Sequence, residues 1–188
     1  MNKEKNTRVC PVEHAGILDN AFRRFLQNPK KILGSYIKKD MTVLDFGCGP
    51  GVFTLEIAKM LCGSGKVIAA DLQDGMLEKV RQKLQGTELE QRIELHKCTE
   101  GAFGVTEKVD FVLAFYVVHE VPNQELLFEE IKSILKPNGM LYIIEPKFHV
   151  SKKSFEEMIC RLEKNGFEIT GRPRVFFSRT VVVRNEKQ

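Results

Sequence analysis

The chain has 188 residues, 43% hydrophobic and 29% charged, proportions of one ordinary globular domain able to bury about 70% of its unfolded surface. No run approaches ~18 apolar residues, which excludes a membrane span, and the opening Met1–Asn6 lacks a signal peptide's apolar core, so cytoplasmic residence is expected. The net charge of +4 is spread over pairs such as Arg23–Arg24 and Lys152–Lys153, which speaks against a nucleic-acid groove, and five scattered cysteines show no zinc spacing.

In chain order, residues 13–27 carry Leu18, Ala21, Phe22 and Phe25 at helical spacing, which predicts an amphipathic helix. Asn28-Pro29 breaks it, and the proline opens a second helix over 29–39. Val43 to Phe46 reads as a buried strand running into Gly47-Cys48-Gly49-Pro50-Gly51, after which Phe53, Ile57, Ala58 and Leu61 mark a helix. A second strand over 66–71 ends in Asp71, and Asp74 is placed to cap a helix over 75–85. Strands are expected at 92–96 and 109–115, a helix at 123–135 and a fifth strand at 140–144. Phe155, Met158, Ile159 and Leu162 form the stripe of a further helix, and two strands close the chain at 167–170 and 175–184. The expected organisation is a single domain over 1–188, with a helical N-terminal arm or lid (1–35) and a core over 36–184. Alternating strands and helices predict a doubly wound, mostly parallel α/β sheet, with ligands beyond the carboxyl ends of its strands.

The glycine loop and Asp71 suit a nucleotide-type ligand. Glycines let a ligand lie against bare backbone, and free N–H groups at a helix start favour polar or anionic groups. An acid 20 residues beyond Gly51 can accept both hydroxyls of a ribose. Two cofactors use this layout, a nicotinamide dinucleotide and S-adenosylmethionine. The dinucleotide fingerprint is G-x-G-x-x-G, whereas this loop is G-x-G-x-G with Asp45 two residues ahead.

That loop resembles motif I of the class I S-adenosylmethionine-dependent methyltransferases. Leu135-Lys136-Pro137-Asn138-Gly139-Met140-Leu141 is similar to the family's turn into its fifth strand, and Asp110 through Val121 to its fourth-strand segment. The resemblance covers roughly residues 36–184 and is nearest to the small-molecule, ubiquinone/menaquinone methyltransferase group. It implies a Rossmann-like seven-stranded sheet of order 3-2-1-4-5-7-6 with an antiparallel last strand. It also implies that Gly47, Cys48, Gly49 and Gly51 approach the methionine part of the cofactor and that Asp45 orients its amino group. Asp71 would hold the ribose, with Leu72 and Met76 around adenine and Phe115 on the same rim. One departure stands out. Many relatives carry an acid after the third strand, where this chain has Cys98, so Thr99 or Glu100 would take over the adenine contact.

Methyl transfer from a sulfonium needs alignment and exclusion of water more than a covalent nucleophile. A base is needed only where the acceptor must lose a proton, and the candidates are His119, Glu120 and Tyr116, with Glu145 at the end of strand five. His119 has the pKa suited to that work. Cys10 and His14 have a spacing that permits a shared ion, but two ligands are too few, and no metal is expected. The expected acceptor is a small molecule: a phenol or quinone-like carbon, an amine, a thiol or a metalloid. The alternatives are a non-catalytic module binding S-adenosylmethionine or S-adenosylhomocysteine, arsenite-type methylation, and a nicotinamide-dependent oxidoreductase.

Overall fold

The computed structural model describes residues 27–99 and 103–185. The expected helix over 13–27, apart from Gln27, and Cys10, His14 and Glu100 lie outside the described residues. Among the described residues, twelve α-helices and β-strands follow one another. They are α1 (Pro29–Leu33), β1 (Thr42–Phe46), α2 (Val52–Met60), β2 (Lys66–Asp71), α3 (Asp74–Leu84) and β3 (Ile93–Lys97). Then come β4 (Val109–Phe115), α4 (Gln124–Ile134), β5 (Leu135–Pro146), α5 (Lys152–Lys164), β6 (Phe167–Gly171) and β7 (Ser178–Asn185).

One seven-stranded sheet has the order β3-β2-β1-β4-β5-β7-β6, as the resemblance implies. β1 pairs in parallel with both β2 and β4, and β7 alone runs antiparallel, against β5 and β6. Val43 and Leu44 are both fully buried yet belong to two separate core clusters, because successive strand residues point to opposite faces. Phe128, Ile131 and Leu162 of α4 and α5 cover one face. Leu33, Ile57, Leu77 and Val80 of α1, α2 and α3 cover the other. Burial on both faces explains why the inner strands read as continuous apolar runs.

Several boundaries differ from the sequence expectation. The helix after Asn28 stops at Leu33 rather than at residue 39. Asp74 does not cap α3; it is the first helical residue and pairs with Lys97 at 2.9 Å, while Gln73 flanks the helix. β5 starts at Leu135 rather than at Met140, because Leu135 already pairs with Val109 across a bulge. The last strand begins at Ser178 rather than at 175, because Phe177 takes a left-handed φ of 51° that breaks the ladder.

The chain reverses its build direction between β1 and β4, the switch point at which such sheets open a crevice. Gly47, Asp71, Cys98, Tyr116 and Glu145 all stand at or just past the carboxyl ends of β1 to β5.

Candidate active site

The glycine loop is pinned to the end of β2. The N–H groups of Gly47 and Cys48 both donate to the Ala70 carbonyl, at 2.8 and 3.0 Å. Gly47 has φ +69°, and a Cβ there would collide with Val117 just past β4, so the loop lies directly against the β4 end. Gly49, at φ +53°, has no atom within 4 Å of where its Cβ would be. That open space before bare backbone is what a closely approaching ligand requires. Gly51, also left-handed, leads into α2, whose first turn has no side-chain cap.

Asp71 ties the loop to this space. Its Oδ2 accepts the Gly49 N–H at 2.9 Å and its Oδ1 the Gln73 N–H at 2.8 Å, and each oxygen keeps a further lone pair. Burial raises its pKa against the lowering pull of these bonds. Beside it, Cys98 donates its N–H to the Asp71 carbonyl at 3.0 Å. Leu72 is half-buried, Met76 is 2% exposed, and Thr99 is exposed at the end of the same edge. An accepting carboxylate, an open glycine and apolar neighbours fit an adenosine-bearing cofactor.

Asp45 lies deeper, 2% exposed, and accepts the Thr54 hydroxyl of α2 at 2.6 Å. Burial pushes its carboxyl up to about 7, against the pull of that hydrogen bond. The thiols of Cys48 and Cys98 are buried as well; burial raises both, Cys98 to about 12. Both are therefore neutral thiols near neutral pH, poor nucleophiles and poor metal ligands. No group of three His, Cys, Asp or Glu able to hold a metal ion occurs among the described residues.

Across the crevice, the segment after β4 carries the titratable groups. Phe115 stacks on Tyr116 and makes a tilted contact with Phe53, with ring centroids 4.3 Å apart in both pairs. Tyr116 has a left-handed φ of 59°, an unusual conformation for an aromatic residue. A hydrogen-bond chain fixes it. Gln27 Nε2 donates to Tyr116 Oη (2.5 Å), Tyr116 Oη pairs with Ser178 Oγ (2.7 Å), and Ser178 donates to the Phe176 carbonyl (2.9 Å). The direction of that last bond makes Tyr116 the donor to Ser178, which commits its hydroxyl proton to structure.

His119 is different. Its Nδ1 lies 2.5 Å from Oε2 of Glu145, which is 1% exposed, while the imidazole remains 22% exposed. A carboxylate accepts from Nδ1–H, so the neutral ring carries its lone pair on Nε2. Burial disfavours the imidazolium, but the hydrogen bond and charge of Glu145, with the charge of Glu120, outweigh it and raise the pKa above 6.5. Glu120 thus acts on His119 through its charge, from the short turn Val118–Glu120. Nothing local in the sequence marks Thr54, Ser178 or Gln27, because each acts through a partner on another element.

A family model described as a methyltransferase domain matches residues 37–174. A demethylmenaquinone methyltransferase of Lactobacillus johnsonii is 31% identical over 143 residues, covering 74% of this chain and 58% of that protein. The chain thus spans little more than half the length of that curated relative. A SAM-dependent methyltransferase from Aquifex aeolicus superposes with a TM-score of 0.84 at 28% identity, covering 94% of this chain and 99% of that one. The [4+2]-cyclase SpnF shares the fold alone, with a TM-score of 0.72 at 14% identity and coverage of 86% and 81%.

Proposed function

The chain belongs to the class I S-adenosylmethionine-dependent methyltransferase family, and from that premise we propose that it methylates a small-molecule acceptor held beside His119. S-adenosylmethionine, when bound, supplies the electrophilic methyl of a sulfonium. In this reading the backbone of Gly47, Cys48, Gly49 and Gly51 lines the methionine part, and Asp71 accepts the ribose hydroxyls. Leu72, Met76, Cys98 and Thr99 surround adenine, and Phe115 borders the crevice. Asp45, held against α2 by the Thr54 hydroxyl, would orient the methionine amino group from beneath the loop.

The observation that carries the proposal is the pairing of His119 with Glu145 on the far side of the crevice. A buried carboxylate orients the imidazole and stabilises its protonated form, the arrangement of a general base. Nε2 would take a proton from the acceptor as its nucleophilic atom attacks the methyl. Tyr116 and Glu120 are then positioning groups, one bracing the backbone and the other adding charge. The likeness to the Lactobacillus johnsonii demethylmenaquinone methyltransferase favours a ring carbon of a hydroxylated aromatic as acceptor. Loss of a hydroxyl proton makes such a ring carbon nucleophilic. Cytoplasmic residence and the absence of a nucleic-acid substrate belong to the same reading.

The test is transfer of labelled methyl to a panel of hydroquinones, phenols, amines, thiols and arsenite. The reading predicts label in a hydroxyaromatic, and a loss of about 10²–10⁴-fold in His119→Ala with cofactor binding retained. Label in arsenite alone would select metalloid methylation. Tight cofactor binding with no acceptor labelled would favour the regulatory module.

A further inference from the structure

We propose that the rim around Phe148, Phe176 and Phe177 docks on an anionic lipid bilayer. These three phenylalanines are 69%, 50% and 61% exposed, unusually open for so apolar a side chain. They stand together at the carboxyl end of the sheet. Lys147 N–H donates to the Phe177 carbonyl at 3.0 Å, and Pro146 pairs with Ser178 across β5 and β7. Phe176 and Phe177 have ring centroids 4.8 Å apart. Arg179 Nε bonds the Val150 carbonyl at 2.9 Å and ties the two loops into one platform.

The backbone holds this display at some strain. Phe177 has φ +51°, in the left-handed region that glycine or asparagine occupies more readily. A phenylalanine there, with most of its ring in water, gives the fold little in return, and such outliers cluster at functional surfaces.

The loops that carry the rings are basic. Residues 146–155 and 169–184 contain no Asp or Glu, while they include Lys147, Lys152, Lys153 and Arg174, all exposed. Lys147 and Arg174 have no ion pair with any described residue, whereas Lys152 lies within the charge of Glu156 and Lys153 has Glu157 at 4.0 Å. Lys152 and Lys153 also occupy the first turn of α5, which carries no acid. Cations are disfavoured at that positive helix end, so an external anion would relieve the placement. Exposed aromatic side chains flanked by exposed cations match a surface that sinks its rings among acyl chains and sets its cations against anionic headgroups. Single-stranded RNA also stacks its bases on exposed rings, but it needs a continuous cationic groove to track its backbone, and the cations here are a few separate side chains. No helix among the described residues is long and apolar enough to cross a membrane, so the docking is interfacial.

The experiment is vesicle flotation of the full chain without cofactor or acceptor, which separates it from any test of methyl transfer. Vesicles of phosphatidylcholine alone are compared with vesicles containing phosphatidylglycerol, at low and high salt. The expected result is salt-sensitive binding to the anionic vesicles, weakened about tenfold or more in Phe148→Ser/Phe177→Ser. Lys152→Glu/Lys153→Glu should weaken it further than about fivefold for each cation removed. Circular dichroism melting confirms that each variant is folded. Should the phenylalanine pair fail to fold, hydrogen exchange on the unaltered chain replaces it, with vesicle-induced protection expected in 147–153 and 174–177. Absence of binding by the unaltered chain, or binding indifferent to the phenylalanines and lacking that protection, overturns the proposal. Binding to single-stranded RNA stronger than to the anionic vesicles, with or without phenylalanine dependence, overturns it in favour of a nucleic-acid surface.

Discussion

His119 Nδ1 lies 2.5 Å from Oε2 of Glu145, and the other oxygen of the same carboxylate accepts the Val118 N–H at 2.9 Å. One buried acid therefore fixes both the backbone turn that carries the imidazole and the tautomer of the ring. The histidine is neutral and able to accept a proton only above its own pKa, which this pair raises beyond 6.5. The rate of methyl transfer should accordingly rise with pH on a limb lying above 6.5. Glu145→Gln removes the charge that raises the pKa, so the limb moves to lower pH while the plateau rate drops. A limb unmoved by the substitution would show that some other group titrates.

Gly47 and Gly49 are both left-handed, but only one is packed against protein. Gly47→Ala forces a Cβ into Val117, so it should cost about 1–3 kcal/mol of stability, read as a lowered Tm. Gly49→Ala meets no atom within 4 Å. It should cost only about 1–2 kcal/mol, for the left-handed backbone alone. Its Cβ enters the space assigned to the cofactor, however, so it should lose cofactor affinity at least as badly as Gly47→Ala does. Isothermal titration beside thermal melts separates the two effects.

Asp45 gives a pH dependence of stability with a definite sign. Its carboxyl ordinarily titrates at 3.8, and burial takes it to about 7 in the folded chain. Between those values the unfolded chain has released the proton and the folded chain has kept it. Stability must then fall as pH rises through that window, by on the order of 4 kcal/mol from this group alone. The raised values of Asp71 and His119 act in the same direction. The informative quantity is therefore the difference between the unaltered chain and Asp45→Asn. The amide cannot ionise and can still accept from Thr54. Denaturant unfolding should show a shallower decline between pH 4 and 7 for Asp45→Asn, and equal slopes would contradict the burial argument.

The glycine loop is legible because it is local, whereas the sheet order comes from the resemblance to the methyltransferase family and not from any local pattern. Val43 to Gly51 writes strand, turn and helix start into nine consecutive residues, and Asp71 closes the next strand. The bounds of β4 follow from an apolar run with the same ends in sequence and structure. What the sequence hid lies in pairs distant along the chain. Glu145 is 26 residues from His119, Ser178 is 62 from Tyr116, and Gln27 is 89 from Tyr116. No periodicity encodes such couplings. The short α1 and the early start of β5 were missed for a related reason. Lys-rich helical spacing after Pro29 and a Pro-Asn-Gly turn are local signals, and the tertiary pairing of Leu135 with Val109 overrode the second.

The central claim is that the crevice between the glycine loop and β4 binds S-adenosylmethionine through Asp71. The most direct measurement is parallel calorimetric titration of the chain with S-adenosylmethionine, S-adenosylhomocysteine and NAD. Both adenosyl ligands should bind at roughly micromolar affinity, equivalent to about 8 kcal/mol, NAD should not bind, and a folded Asp71→Ala variant should lose the adenosyl ligands. Failure of the folded, unaltered chain to bind either adenosyl ligand, or binding that survives Asp71→Ala unchanged, would contradict it.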